Sequence, residues 1–183
     1  LVSACAFGTA GAFAKPLLAS GWSPGAVVAV RLGLAAIVLL IPGLMALRGR
    51  WQLLLSQWRP LLAYGVFGGA TAQVAFFNAV QYVPVGLALL MEYLAILLVV
   101  AWVAVRSRRL PSKLTLVGTV VAIAGLVVVL DPTGMVGLDL RGIAWGSLAA
   151  CGLAVYFVIS ARPMELPPLT FVGVGLAVGT VTI

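Results

Sequence analysis

Val85-Gly86-Leu87-Ala88-Leu89-Leu90-Met91-Glu92-Tyr93-Leu94-Ala95-Ile96-Leu97-Leu98-Val99-Val100-Ala101-Trp102-Val103-Ala104-Val105, followed at once by Arg106-Ser107-Arg108-Arg109, decides the fold. Glu92 is the only charged residue between Val85 and Val105. A bilayer-spanning α-helix needs about 20 consecutive, mostly apolar residues. This stretch supplies them and stops at a cluster of guanidinium groups that belongs in water. Pro84 ahead of it marks a turn, because proline fixes φ and has no N–H to donate inside a helix.

The same pattern recurs on both sides. A first span runs from Leu1 to about Ala19 and is broken by Gly21, Ser23 and Pro24. A second runs from about Gly25 to Leu47 and ends in Arg48-Gly49-Arg50, followed by a polar connector with Trp51, Gln57, Trp58 and Arg59. The third runs from about Pro60 to Tyr82. The Val85 stretch is the fourth. The fifth runs from about Leu114 to Leu130 and stops at Asp131-Pro132, and the sixth from about Leu140 to Ala161. A seventh starts near Leu169. The chain begins with apolar sequence at Leu1 and stops in another apolar run at Ile183, so the expectation is part of a longer protein.

Composition agrees. The 183 residues are 63% hydrophobic and 8% charged, with a mean hydropathy of +1.22. Soluble domains average about 25% charged residues, and a soluble globule this size must still cover itself with polar surface. The reading is an all-α integral membrane protein, a multi-helix transmembrane bundle with about seven spans. Histidine is absent and only Cys5 and Cys151 offer thiols, which leaves no metal site, no cofactor and no Cys/His nucleophile pair to propose. Both cysteines fall in expected spans and read as packing thiols.

The net charge of +7 would suggest nucleic acid in a soluble protein. Here the cations fall in short clusters between apolar stretches, so they read as topology and exclude a nucleic-acid partner. Arg48, Arg50 and Arg59 follow the second span; Arg106, Arg108, Arg109 and Lys113 follow the fourth; Arg162 follows the sixth. With seven spans these three loops share one side. The opposite loops carry Arg141 against Asp131 and Asp139. Positive charge concentrates in cytoplasmic loops, so the N-terminal side is expected in the cytoplasm of a multi-pass protein of the cell membrane, and the bacterial inner membrane fits best. Trp22, Trp51 and Trp58 fall at span ends, where interfacial aromatics belong. Gly65 with Gly69, Gly142 with Gly146, and Gly175 with Gly179 have the small-residue spacing of close helix packing. Trp145, Ser147 and Tyr156 in the sixth span read as packing residues.

Cys5 through Pro24 can be laid on Cys151 through Pro168: an apolar helix with an early cysteine, a polar turn, then proline and a Gly/Val-rich helix. A repeat of that length holds five helices, and an odd count inverts the second copy in the membrane. On this reading residues 1–135 form the first repeat. Residues 136–183 begin the second, and the full length holds ten helices.

The run from Phe76 through Asn78, Gln81, Tyr82 and Pro84 to Leu90 resembles the EamA family of the drug/metabolite transporter superfamily. The glycine-spaced run Leu116–Val129, with Gly118 and Gly125, is similar to that family's fifth helix. Glu92-Tyr93-Leu94 resembles the branch related to threonine/homoserine exporters. Two features depart from the pattern: no proline follows Glu92 in Leu94-Ala95-Ile96-Leu97, and Arg108-Arg109 stands where many members are acidic. The resemblance implies ten helices in two inverted five-helix repeats and efflux of a small metabolite such as an amino acid. It leaves proton coupling and a homodimer open.

Lys15, Arg31 and Glu92 are ionisable residues within expected spans. A charge at mid-membrane costs about 2.5–3.5 kcal/mol on insertion scales. At 1.5 Å per residue, Lys15 lies roughly 6 Å, Arg31 roughly 8–9 Å and Glu92 roughly 10–12 Å from the outer ends of their spans. All three can line a substrate pathway, with Lys15 or Arg31 meeting a carboxylate and Glu92 meeting an amine or a proton. Equally, Lys15 can snorkel to the interface and Arg31 can form a structural ion pair with Glu92. Gln73, Phe77 and Gln81 share one face of the third span, with Asn78 and Tyr93 nearby in sequence. These polar residues serve either a pathway or interhelical hydrogen bonds. No GxSxG or GxxxxGK[ST] motif and no selectivity-filter-like loop occurs, which argues against an enzyme, an ATP-driven pump and a channel. The sequence therefore favours a secondary active transporter, with a structural or assembly membrane protein as the alternative.

Overall fold

The computed structural model describes residues 16–108, 111–130 and 139–183, all helix, turn or irregular chain with no strand among them. Lys15, Cys5 and Asp131 lie outside the described residues. Residues 16–19 are helical and lead into the turn before α1 (Pro24–Leu47). A short helix, α2 (Gln52–Ser56), follows. Then come α3 (Trp58–Tyr82), α4 (Val85–Ser107), α5 (Lys113–Leu130), α6 (Leu140–Ser160) and α7 (Pro168–Val181). Among the described residues, α1, α3, α4 and α6 are each long and apolar enough to cross a membrane; α7, at 14 residues, is shorter.

Local chemistry sets the ends. Ser23 accepts the Ala26 N–H at 3.2 Å and Pro24 takes the first turn of α1, where a missing N–H costs nothing. Asp139 accepts the Arg141 N–H at 2.8 Å ahead of α6. α1 and α4 both close on an arginine in the left-handed region, Arg48 at φ 49° and Arg108 at φ 51°, a position glycine usually takes.

Glycine contacts give the directions. Residues 173 and 169 of α7 lie against residues 39–40 and 43 of α1, and Thr180 against Gly33, so these helices run antiparallel. Gly142 of α6 meets Tyr82 and Val83, while Gly152 meets Phe67 and Ala72, so α6 is antiparallel to α3. Gly175 and Gly179 meet Tyr64, Gly65 and Ala70, so α7 is parallel to α3. Each relation is the one that alternating spans require.

Of the expected small-residue pairs, Gly65, Gly175 and Gly179 form the α3–α7 contact, where an added Cβ would strike backbone or the Tyr64 ring. Gly142 and Gly146 admit Val83 and Met91. Pro42 sits inside α1 without ending it, and the Thr170 hydroxyl donates to the adjacent Gly43 carbonyl, tying α7 to α1 at that level. One apolar core gathers Val28, Leu32, Phe76, Phe77, Val80 and Ala149; a second, at the other end, gathers Leu47, Leu61, Tyr64, Ile159 and Phe171. The outward faces of α1 and α5, with Leu34, Ile37, Val38, Leu114, Val120 and Val121, are apolar and exposed, as lipid contact requires.

Two irregularities lie outside what the sequence suggested. α3 is π-helical from Tyr64 to Thr71, through Gly65, Gly68 and Gly69. α4 tightens at Leu94, whose N–H bonds Met91 at 3.1 Å three residues back while its backbone stays right-handed helical at φ −57° and ψ −18°.

Candidate functional site

Three helices place polar side chains at one depth. Arg31 lies about 10 Å along α1 from Pro24, Gln73 about 13 Å along α3 from Tyr82, and Glu92 about 10 Å along α4 from Val85, at 1.5 Å per residue. By the helix directions those three ends face the same side. Each residue sits on an inward stripe. Arg31 follows buried Val27 and Val28 by one turn; Gln73 precedes buried Phe77 and Val80; Glu92 belongs to the buried series Ala88, Met91, Glu92, Ala95. The i, i+3, i+4, i+7 spacing of that series directs Glu92 into the bundle and not toward lipid.

The Arg31 guanidinium donates Nη1–H to Gln73 Oε1 at 3.0 Å. Gln73 is its hydrogen-bond partner among the described residues, which leaves most of its five N–H donors uncommitted. Glu92 is 1% exposed, and neither carboxyl oxygen has a hydrogen-bond partner among the described residues. The direct ion pair with Arg31 weighed from the sequence does not form: Arg31 turns to Gln73 instead. The centre thus holds a carboxyl group without hydrogen-bond partners beside a guanidinium with donors to spare. Buried polar groups are nearly always satisfied, so such an exception needs an explanation.

Of the other expected residues, Asn78 and Gln81 stay on α3. Asn78 Nδ2 donates to the Val74 carbonyl at 2.8 Å, and Gln81, exposed, donates to Asn78 Oδ1 at 3.5 Å. Tyr93 is 48% exposed and points away from the Glu92 stripe. Lys15 lies outside the described residues. Trp145 packs on the core as expected and Tyr156 stacks at 5.1 Å on Tyr64, but Ser147 and Cys151 are exposed, so the packing role read for Cys151 is corrected. No group of His, Cys, Asp and Glu among the described residues could hold a metal. The sequence had not marked the tightened turn at Leu94, two residues after Glu92.

With this geometry in place, the comparison with known families is informative. Residues 1–131 match the EamA-like transporter family. The chain belongs to this family. No curated protein and no solved structure matches it. Family members are membrane transporters and not enzymes, so this EamA chain is a multi-pass helical membrane protein of a transporter family.

Proposed function

We propose that this EamA protein is a secondary active transporter that exports a small zwitterionic metabolite such as an amino acid. Its carboxylate would meet Arg31 and its ammonium Glu92, with Gln73 holding the guanidinium in place. The observation that carries this reading is the pair of unpartnered Glu92 oxygens at the level of the Arg31–Gln73 hydrogen bond. A purely structural charge pair would close on itself, because a buried ion without partners is costly. A zwitterion supplies both missing partners, and in its absence a proton on Glu92 supplies one, which is a basis for proton coupling. The resemblance of Glu92-Tyr93-Leu94 to the threonine/homoserine exporter-like branch agrees with an amino-acid substrate. Proteoliposomes loaded with single amino acids test the reading by counterflow. Exchange of zwitterionic amino acids, but not of the matching monoamines or monocarboxylates, is expected. Exchange of an amine or an acid alone at the same rate would remove the two-charge site.

The architecture belongs to the same proposal: two inverted five-helix repeats, 1–135 and 136–183 onward, in a bacterial inner membrane with the arginine-rich end in the cytoplasm. The antiparallel α1–α7 contact supports it, since on this reading these are the second helices of the two repeats and would meet at the pseudo-twofold axis. An impermeant maleimide added outside intact cells should label Asp139→Cys and leave Ser107→Cys untouched. The reverse pattern would overturn the orientation.

A further inference from the structure

We propose that a groove between α3, α4 and α6, at the arginine-rich end of the bundle, holds an anionic phospholipid, its phosphate on Arg59 and Arg162 and one acyl chain along the groove. The groove encloses about 620 Å³, within the ~300–1,000 Å³ of sites that hold small ligands. It lies apart from the Arg31–Glu92 centre: its α4 residues Leu98, Val99 and Trp102 follow Glu92 by roughly 9–15 Å along the helix. Its floor is apolar, with Ala154 and Val158 of α6 facing that α4 stretch.

Both cations come from helix ends. Arg59 begins α3 and Arg162 follows α6, on the side where Arg106 and Arg108 close α4. Arg59 lies over the Trp58 ring with Cζ 5.5 Å from its centroid, which fixes one guanidinium at interfacial level. Among the described residues neither arginine is paired with a carboxylate. Glu165, three positions after Arg162, is exposed and does not line the groove. Guanidinium groups match phosphate oxygens with paired N–H donors, and basic sites between transmembrane helices on the cytoplasmic side are suited to acidic headgroups. Trp102 and Leu98 are 54% and 42% exposed, so the groove is open along α4, with room for an acyl chain. A soluble metabolite would find cations at the mouth but nothing polar along the floor.

Trp102 reports occupancy. In the full-length protein, every tryptophan other than Trp102 is replaced by Phe. The protein is then reconstituted in phosphatidylcholine vesicles containing either brominated phosphatidylglycerol or brominated phosphatidylcholine. Brominated phosphatidylglycerol is expected to quench Trp102 at about fivefold lower mole fraction for each arginine engaged. Arg59→Gln with Arg162→Gln should abolish the preference, and Arg59→Lys with Arg162→Lys should keep most of it. Equal quenching by the two lipids would overturn the proposal, and that comparison needs no arginine variant to fold. So would a preference that survives in the Gln variant, or an absence of quenching by either lipid, which would mean that protein covers the groove.

Discussion

Glu92→Gln is expected to leave the folded yield in the membrane at or above that of the parent and to lower flux by roughly ten- to a hundredfold. The yield should hold because, among the described residues, no donor reaches either oxygen of this side chain. Gln is nearly the same size, keeps the buried stripe with Ala88, Met91 and Ala95, and avoids an insertion cost of about 2.5–3.5 kcal/mol for a central charge. Arg31 keeps its bond to Gln73. Flux should fall because a hydrogen bond to a charged group contributes about 1.5–3 kcal/mol, which sets the scale of the loss, and because an amide cannot carry a proton. Yield by size-exclusion chromatography and counterflow should be measured on the same membranes. Unchanged flux in a well-folded variant would end the idea of a site at Glu92.

Gly175→Leu is expected to remove most folded protein, whereas Gly118→Leu should be close to neutral. A Cβ on Gly175 would collide with the Tyr64 ring. That ring cannot swing away, because Phe171 lies edge-on at 4.7 Å and Tyr156 is tilted against it at 5.1 Å. Overpacking a tight core typically costs about 1–3 kcal/mol, and here the Gly175 carbonyl already lies against Gly65, so the two helices are packed backbone to backbone. Gly118 on α5 has nothing within 4 Å of its Cβ position. Yields and thermal unfolding midpoints of the two variants compare them directly. Equal tolerance of both would refute the close α3–α7 contact.

Span boundaries were legible because charge and proline punctuate the apolar runs. Pro84, Arg48-Gly49-Arg50 and Arg106-Ser107-Arg108-Arg109 placed the ends of α1 and α4 within about two residues of the structure, the usual ambiguity of helix ends. The inward positions of Arg31 and Glu92 were legible for a different reason: a charge in a span must face the bundle or water. What the sequence concealed depends on which neighbours meet. Composition left Gln52–Ser56 as a connector, because one and a half turns carry too few residues for a periodic signal. The π-helical stretch Tyr64–Thr71 looks like any glycine-rich helix until Gly152 of α6 is seen packing on Phe67 and Ala72. Gln73 and Gln81 share a face by periodicity, yet only Gln73 reaches Arg31, since Gln81 lies two turns nearer the exposed end. An opposite charge looked like the better partner for Arg31, and side-chain direction gave it an amide instead.

Whether Arg31 and Glu92 form a site or a strut is decided by a double-variant cycle: counterflow and folded yield for Glu92→Gln, Arg31→Met and the two combined, in the same reconstitution. The expected result is comparable yield throughout, flux lost in each single variant, and no recovery in the combined one, because each substitution removes a different contact to substrate. Yield that collapses in the single variants and returns in the combined one, with flux returning alongside it, would contradict the transport site and leave a plain ion pair.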